Sequence, residues 1–308
     1  MIHITRFRAA GCWSAALIIL IFFTGCNPPH PPLTVPIKTI RYEAPEGPHR
    51  RLFVFLPGYG DQPSAFERHG LVQMVKDRMP DVDMIAVNAH IGYYLNGSLF
   101  LRLKEDVIDP ARARGYQSIW LIGNSLGGFG SISYARMYPV GITGIVLLGP
   151  FLGERSTVNE ILKAGSLEKW SPGVVGNNSK EDLEKQLWLW IKSRQQQKDF
   201  RLWLKDCEEE PGCLPKVYLG YGENDRFSFG QKLLAANLPL EHVVVIQGGH
   251  NWSTWFKAWD IILEKMARKK QEIRGDAVIP GAALEHANLT AFRTLPFKAL
   301  LDSPFASP

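Results

Sequence analysis

A serine, an aspartate and a histidine stand in an order and in local settings that could do nucleophilic chemistry. Ser125 sits in Gly123-Asn-Ser-Leu-Gly127, Asp225 ends Gly220-Tyr-Gly-Glu-Asn-Asp225, and His250 ends Gln247-Gly-Gly-His250. A serine hydroxyl is a weak nucleophile until an adjacent base takes its proton, and that base works best when a third group fixes its tautomer. Such a trio attacks an acyl carbonyl, passes through a tetrahedral oxyanion and leaves an acyl group on the serine for water to remove. Glu223, two residues before Asp225, is the rival acid. His90 stands outside the trio and reads as a loop residue.

Chemistry of this kind needs a particular scaffold. The apolar run Ile119-Trp-Leu-Ile122 precedes Gly123, and a helix-compatible stretch over 126–137 follows, so Ser125 falls at a strand-to-helix junction. A sharp turn there lifts the hydroxyl above a sheet, and the flanking glycines leave room for the neighbouring strand and helix. Near-continuous apolar runs also occur at 51–56, 83–88, 143–148, 216–220 and 242–246, as expected of strands covered on both faces. Helical patterns lie between them near 64–78, 98–114, 228–237 and 252–270. The alternation predicts an α/β domain, a mostly parallel central sheet with helices on both faces. Asp225 and His250 each follow directly after one of the late strands.

The stretch 153–215 interrupts this alternation. It holds four of the nine tryptophans (Trp170, Trp188, Trp190, Trp203) and no strand pattern. Ser179 with Asp182 three residues on forms a capping-box signature, and Leu183, Leu187, Trp190 and Ile191 share one helical face. Trp190 is therefore expected in a core, and Trp188, off that face, at a pocket or lid surface.

Taken with Phe55-Leu-Pro-Gly-Tyr-Gly-Asp61 at the end of an early strand, the pattern over residues 37–268 resembles the α/β-hydrolase superfamily, serine esterases and lipases among them. The resemblance implies a catalytic Ser125, His250 and Asp225, and an oxyanion hole formed by the backbone N–H groups of Tyr59 and Leu126. It places a helical cap at 153–215 between two core segments, 37–152 and 216–270, with an extension at 271–308. Pro57 stands where many members carry His. No metal and no organic cofactor is implied, and the expected partner is a small-molecule acyl ester.

The 308 residues carry 35 Lys plus Arg against 30 Asp plus Glu, with no clustered basic stripe, so no nucleic-acid partner is expected. Arg6 and Arg8 precede an apolar run from Trp13 to Phe23, too short to cross a bilayer comfortably, and Thr24, Gly25 and Cys26 lead into Asn27-Pro-Pro-His-Pro-Pro32. Residues 1–25 resemble a bacterial lipoprotein signal, with 26–36 as a proline-rich linker. The resemblance implies lipidation of Cys26, a membrane anchor, and a cell-envelope location at the outer membrane facing the periplasm. In that oxidising compartment Cys207 and Cys213, which flank a Pro-Gly turn, are expected to form a disulfide rather than a metal pair.

The expected function is hydrolysis of a carboxylic ester or thioester, with lipase, thioesterase and peptidase activity as narrower forms. Two alternatives stay open: an envelope acyltransferase using the same trio, and a non-catalytic envelope lipoprotein that keeps the fold.

Overall fold

The computed structural model describes residues 31–45, 50–176, 179–196 and 215–274. Among them, seven strands form one sheet in the order β1-β3-β2-β4-β5-β6-β7. These are β1 (Thr39–Tyr42), β2 (Arg51–Leu56), β3 (Val82–Val87), β4 (Ser118–Asn124), β5 (Gly144–Leu148), β6 (Lys216–Gly222) and β7 (Val243–Ile246). All neighbours pair in parallel except β1, which runs antiparallel to β3 with Thr39 opposite Val87 and Tyr42 opposite Met84. This is the mostly parallel, helix-covered sheet expected of an α/β-hydrolase fold.

The sheet is buried on both sides, which is why its strands read as unbroken apolar runs. On β2, Leu52, Val54 and Leu56 face one core while Phe53 and Phe55 face the other, and β4 divides in the same way between Leu121 and Ile122. The second core is closed by α1 (Ala65–Arg68), α2 (Leu71–Arg78) and the long α10 (Trp252–Arg274). There Trp259 meets Phe53 and Phe55 edge-on and donates its indole N–H to the Leu71 carbonyl. The first core lies under α3 (Ile91–Leu95), α4 (Leu99–Leu103), α5 (Asp109–Ala113), α6 (Leu126–Met137), α7 (Arg155–Lys163), α8 (Lys180–Gln196) and α9 (Ser228–Ala235).

Between α4 and α5 the chain takes one π-helical turn, Lys104–Ile108. Pro110 lacks the N–H that a regular ladder would use there, and a wide turn accommodates the gap. Asp106 in this turn pairs with Arg102 and accepts the Ile37 N–H at 2.8 Å, tying down the approach to β1. β1 itself was not marked by an apolar run, because its four residues are mostly part-exposed at the sheet edge.

The inserted stretch is helical where described, with α7 and α8 and no strand. Its capping box is formed: Ser179 Oγ accepts the Asp182 N–H at 3.0 Å, and the Asp182 carboxylate accepts the Ser179 N–H at 3.1 Å. The expected packing of α8 needs correction. Trp188 is 0% exposed and donates its indole N–H to the Leu152 carbonyl at 3.0 Å, whereas Trp190 is only half-buried and Leu183 is exposed. The buried stripe is Glu184, Leu187, Trp188 and Ile191, one residue round from the expected face. The carboxylate that opens it, Glu184, hid it. That carboxylate is buried because the Glu154 N–H (2.9 Å) and the Thr157 hydroxyl (3.2 Å) both donate to Oε2. Residues 1–30, Cys26 included, lie outside the described residues, as do Cys207, Cys213 and 275–308. The final helix runs to Arg274, a turn past the expected boundary at 270.

Candidate active site

Ser125 is the junction between β4 and α6, and its backbone is the one non-glycine at positive φ among the described residues (φ 51, ψ −116). A side chain rarely adopts this conformation, and its persistence at an active-site turn means that the surroundings over-determine it. Two close approaches do so. A Cβ on Gly123 would lie 2.1 Å from the Gly127 carbonyl oxygen, and one on Gly127 would lie 1.9 Å from the Leu56 carbonyl oxygen. Only glycine at both places lets β2, β4 and α6 meet this tightly. Hydrogen bonds complete the turn: Ser125 N–H donates to the Leu148 carbonyl, and the Ser125 carbonyl accepts the Phe151 N–H, both at 3.0 Å.

Asp225 and His250 arrive from the loops after β6 and β7, at the same carboxyl edge of the sheet. His250 Nε2 is 2.9 Å from Ser125 Oγ, and His250 Nδ1 is 2.9 and 3.0 Å from the two Asp225 oxygens. The Asp225 carboxylate is buried and also accepts the Phe227 N–H at 2.8 Å. The imidazole is held edge-on by Phe227 and Trp255, each with its ring centroid 5.0 Å away. The arrangement fixes the proton on Nδ1 and leaves Nε2 to accept from the serine hydroxyl. Glu223, the rival acid, is exposed, and its N–H donates to the Ile246 carbonyl.

The Leu126 N–H opens α6, in the turn where helix N–H groups have no intrahelical acceptor. Neither it nor the Tyr59 N–H makes a hydrogen bond among the described residues. Both are backbone groups of segments next to Ser125: Leu126 follows it in the chain, and Tyr59 follows Gly58, where a Cβ would lie 3.2 Å from Ser125 Cβ. The Tyr59 side chain itself is exposed. Among the described residues no cluster of His, Cys, Asp and Glu could hold a metal ion.

Sequence reasoning did not find the aromatic collar around the trio. Phe151, after β5, packs edge-on against Phe227 and near Phe129, while Trp252 packs against Trp255 and Phe66. Their signal was positional, since Phe151, Phe227 and Trp252 all follow a strand at the carboxyl edge. The loop carrying Phe151 is gripped by its neighbours. Gln231 of α9 donates to the Pro150 carbonyl, and α8 holds Leu152 and Glu154 through Trp188 and Glu184. Tyr94, whose hydroxyl donates to the Leu126 carbonyl at 3.2 Å, is held well above the usual phenol range by burial.

No protein-family model matches the chain, and no curated protein does. Solved structures resemble it at low identity. A ferulic acid esterase aligns with 71% of this chain and 85% of its own, at 16% identity and a TM-score of 0.48. An arylesterase covers 78% and 87%, at 15% identity and a TM-score of 0.47. An S-formylglutathione hydrolase from Staphylococcus aureus covers 71% and 82%, at 14% and 0.45. At such identities the chemistry of this site has to be read from its own geometry.

Proposed function

We propose that the chain is a serine hydrolase that cleaves carboxylic esters, thioesters included, through Ser125, His250 and Asp225. The observation that carries this reading is the unbroken relay from the buried Asp225 carboxylate through His250 to Ser125 Oγ, with every contact between 2.9 and 3.0 Å. His250 Nε2 takes the hydroxyl proton as Oγ attacks the acyl carbon, and Asp225 stabilises the imidazolium that results. The carbonyl oxygen gains charge between the Tyr59 and Leu126 N–H groups, where each donor is worth about 3 kcal/mol of barrier. The imidazolium then protonates the departing alkoxide or thiolate. Water, deprotonated by the same nitrogen, releases the acid and restores the serine.

The test is hydrolysis of p-nitrophenyl esters of graded chain length, together with labelling by a fluorophosphonate, by the purified chain and its Ser125→Ala variant. A wild-type chain that neither hydrolyses nor labels sinks the reading. Cys26 belongs to the proposal as a lipid anchor in the cell envelope. Labelling with radioactive palmitate in a bacterial host, lost in Cys26→Ser, is the expected result, and a wholly soluble, unlabelled protein overturns it.

A further inference from the structure

Asn124, the last residue of β4, stands immediately before the proposed nucleophile, yet its side chain serves a different loop. The side chain is 0% exposed. Its Oδ1 accepts the Gly58 N–H at 3.1 Å, and its Nδ2 donates to Asp61 Oδ2 at 3.3 Å. Between those two points the chain makes a closed four-residue turn, with the Asp61 N–H donating to the Gly58 carbonyl at 3.2 Å. Its third residue, Gly60, has φ +80, which makes it a turn of the class that requires a glycine at that place. Tyr59 is the second residue. One amide side chain therefore grips both ends of the turn that carries the Tyr59 N–H.

The grip has a second anchor. Asp61 Oδ1 accepts the Trp252 indole N–H at 3.4 Å, and the Trp252 ring lies stacked on His69 with 4.4 Å between centroids. Trp252 is two residues past His250. The Asn124–Asp61 pair thus joins three loops: the nucleophile turn, the Tyr59 turn and the histidine loop. The fit is close, since a Cβ on Gly58 would lie 2.9 Å from Asn124 Nδ2 and 3.2 Å from Ser125 Cβ.

We propose that Asn124 and Asp61 are positioning residues that aim the Tyr59 N–H at the oxyanion. The proposal rests on the serine-hydrolase reading and deepens it. A backbone donor contributes only when it sits within hydrogen-bond range of the place the oxyanion will occupy, and a displacement of about 1 Å can cost roughly a hundredfold in rate. Tyr59 lies in an exposed turn that closes with one internal hydrogen bond, so its aim depends on what holds the two ends. An amide is suited to the task because it accepts from Gly58 and donates to Asp61 at once.

The experiment uses the full chain and its Asn124→Ala, Asp61→Ala and Asp61→Asn variants. It measures kcat and KM on a p-nitrophenyl ester, affinity for a trifluoromethyl ketone that forms a hemiketal oxyanion on the serine, and melting temperature. Asn124→Ala is expected to lower kcat by about 30- to 300-fold with KM within about threefold. Ketone affinity should weaken by a factor that tracks kcat/KM, because both report stabilisation of the oxyanion. Asp61→Ala should show a smaller loss of the same kind. Asp61→Asn keeps one acceptor oxygen, for Asn124 or for Trp252, and turns an NH2 toward the other donor, so it should recover only part of the loss. Should Asn124→Ala fail to fold, the Asp61 pair decides the matter, because Asp61 is only partly buried. A kcat within threefold of wild type in both alanine variants, or a fallen kcat with ketone affinity unchanged, overturns the clamp while wild-type activity upholds the hydrolase reading. A wild-type chain with no activity and no labelling overturns both.

Discussion

The Ser125 turn at 123–127 and the inserted helix α8 both hold the loop that follows β5, and they do it by different means. The turn works with backbone: the Ser125 carbonyl receives the Phe151 N–H, and the shape of the turn is set by two glycines that admit no side chain. The helix works with side chains: Trp188 reaches the Leu152 carbonyl and Glu184 the Glu154 N–H. The first kind of hold comes from the main chain of one short stretch, 123–127, whose shape its own residue types set. The second depends on which face of a helix turns inward and on partners some thirty residues away. Removing the Ser125 hydroxyl should therefore strike chemistry and spare stability, whereas truncating a buried side chain of the helix should do the reverse.

Ser125→Ala is the strongest test of that contrast. Hydrolysis should fall by several orders of magnitude, with the melting temperature close to wild type, because the hydroxyl is lost and the turn is not. A large drop in melting temperature would blur the comparison. Next in size, Asp225→Asn should lower kcat by about four orders of magnitude, since an amide favours the wrong imidazole tautomer. Glu223→Gln, on an exposed side chain in the same loop, should leave kcat within about twofold, and a reversal of these two results would move the acid.

On the helix side, Trp188→Ala should cost roughly 3–5 kcal/mol of stability by denaturant unfolding, with the activity of the folded chain toward short and long acyl esters close to wild type. Trp190→Ala should cost less than half as much. A chain-length shift in Trp188→Ala would place that ring in the substrate's path and break the contrast. The smallest effect belongs to Glu184. Burial raises its pKa above the ordinary 4.5, against the pull of the Glu154 N–H, Lys180 and Thr157. A carboxyl with a raised folded-state pKa favours folding in its protonated form, so its contribution to stability declines as pH rises from about 4.5 through the raised value. Glu184→Gln does not titrate. Its melting temperature relative to wild type should climb over that window, and a difference independent of pH would contradict the sign.

The same contrast explains what could be read from the sequence. The Ser125 turn was legible because strand, glycine, serine, glycine and helix lie within one short stretch. Asp225 and His250 were legible as polar residues ending apolar runs, and the structure brings both to Ser125. The buried face of α8 was misplaced by one residue, since a glutamate at the head of a stripe looks solvent-facing until its donors are known. The clamp on the Tyr59 turn was equally hidden, because Asn124 and Asp61 are 63 residues apart and only the sheet makes them neighbours.

The antiparallel edge strand has a consequence for handling the molecule. Since Thr39 lies opposite Val87, at the carboxyl end of β3, the chain enters the sheet at the edge that bears Ser125. Thr34, just upstream, is hydrogen-bonded to Tyr93 of α3 at that same edge. The other end of the described body points the opposite way, for Lys265 of α10 already reaches the Glu241 carbonyl ahead of β7. The start of the body is therefore tied to the edge of the sheet that bears Ser125. A handle placed beyond α10 therefore joins the body away from that edge.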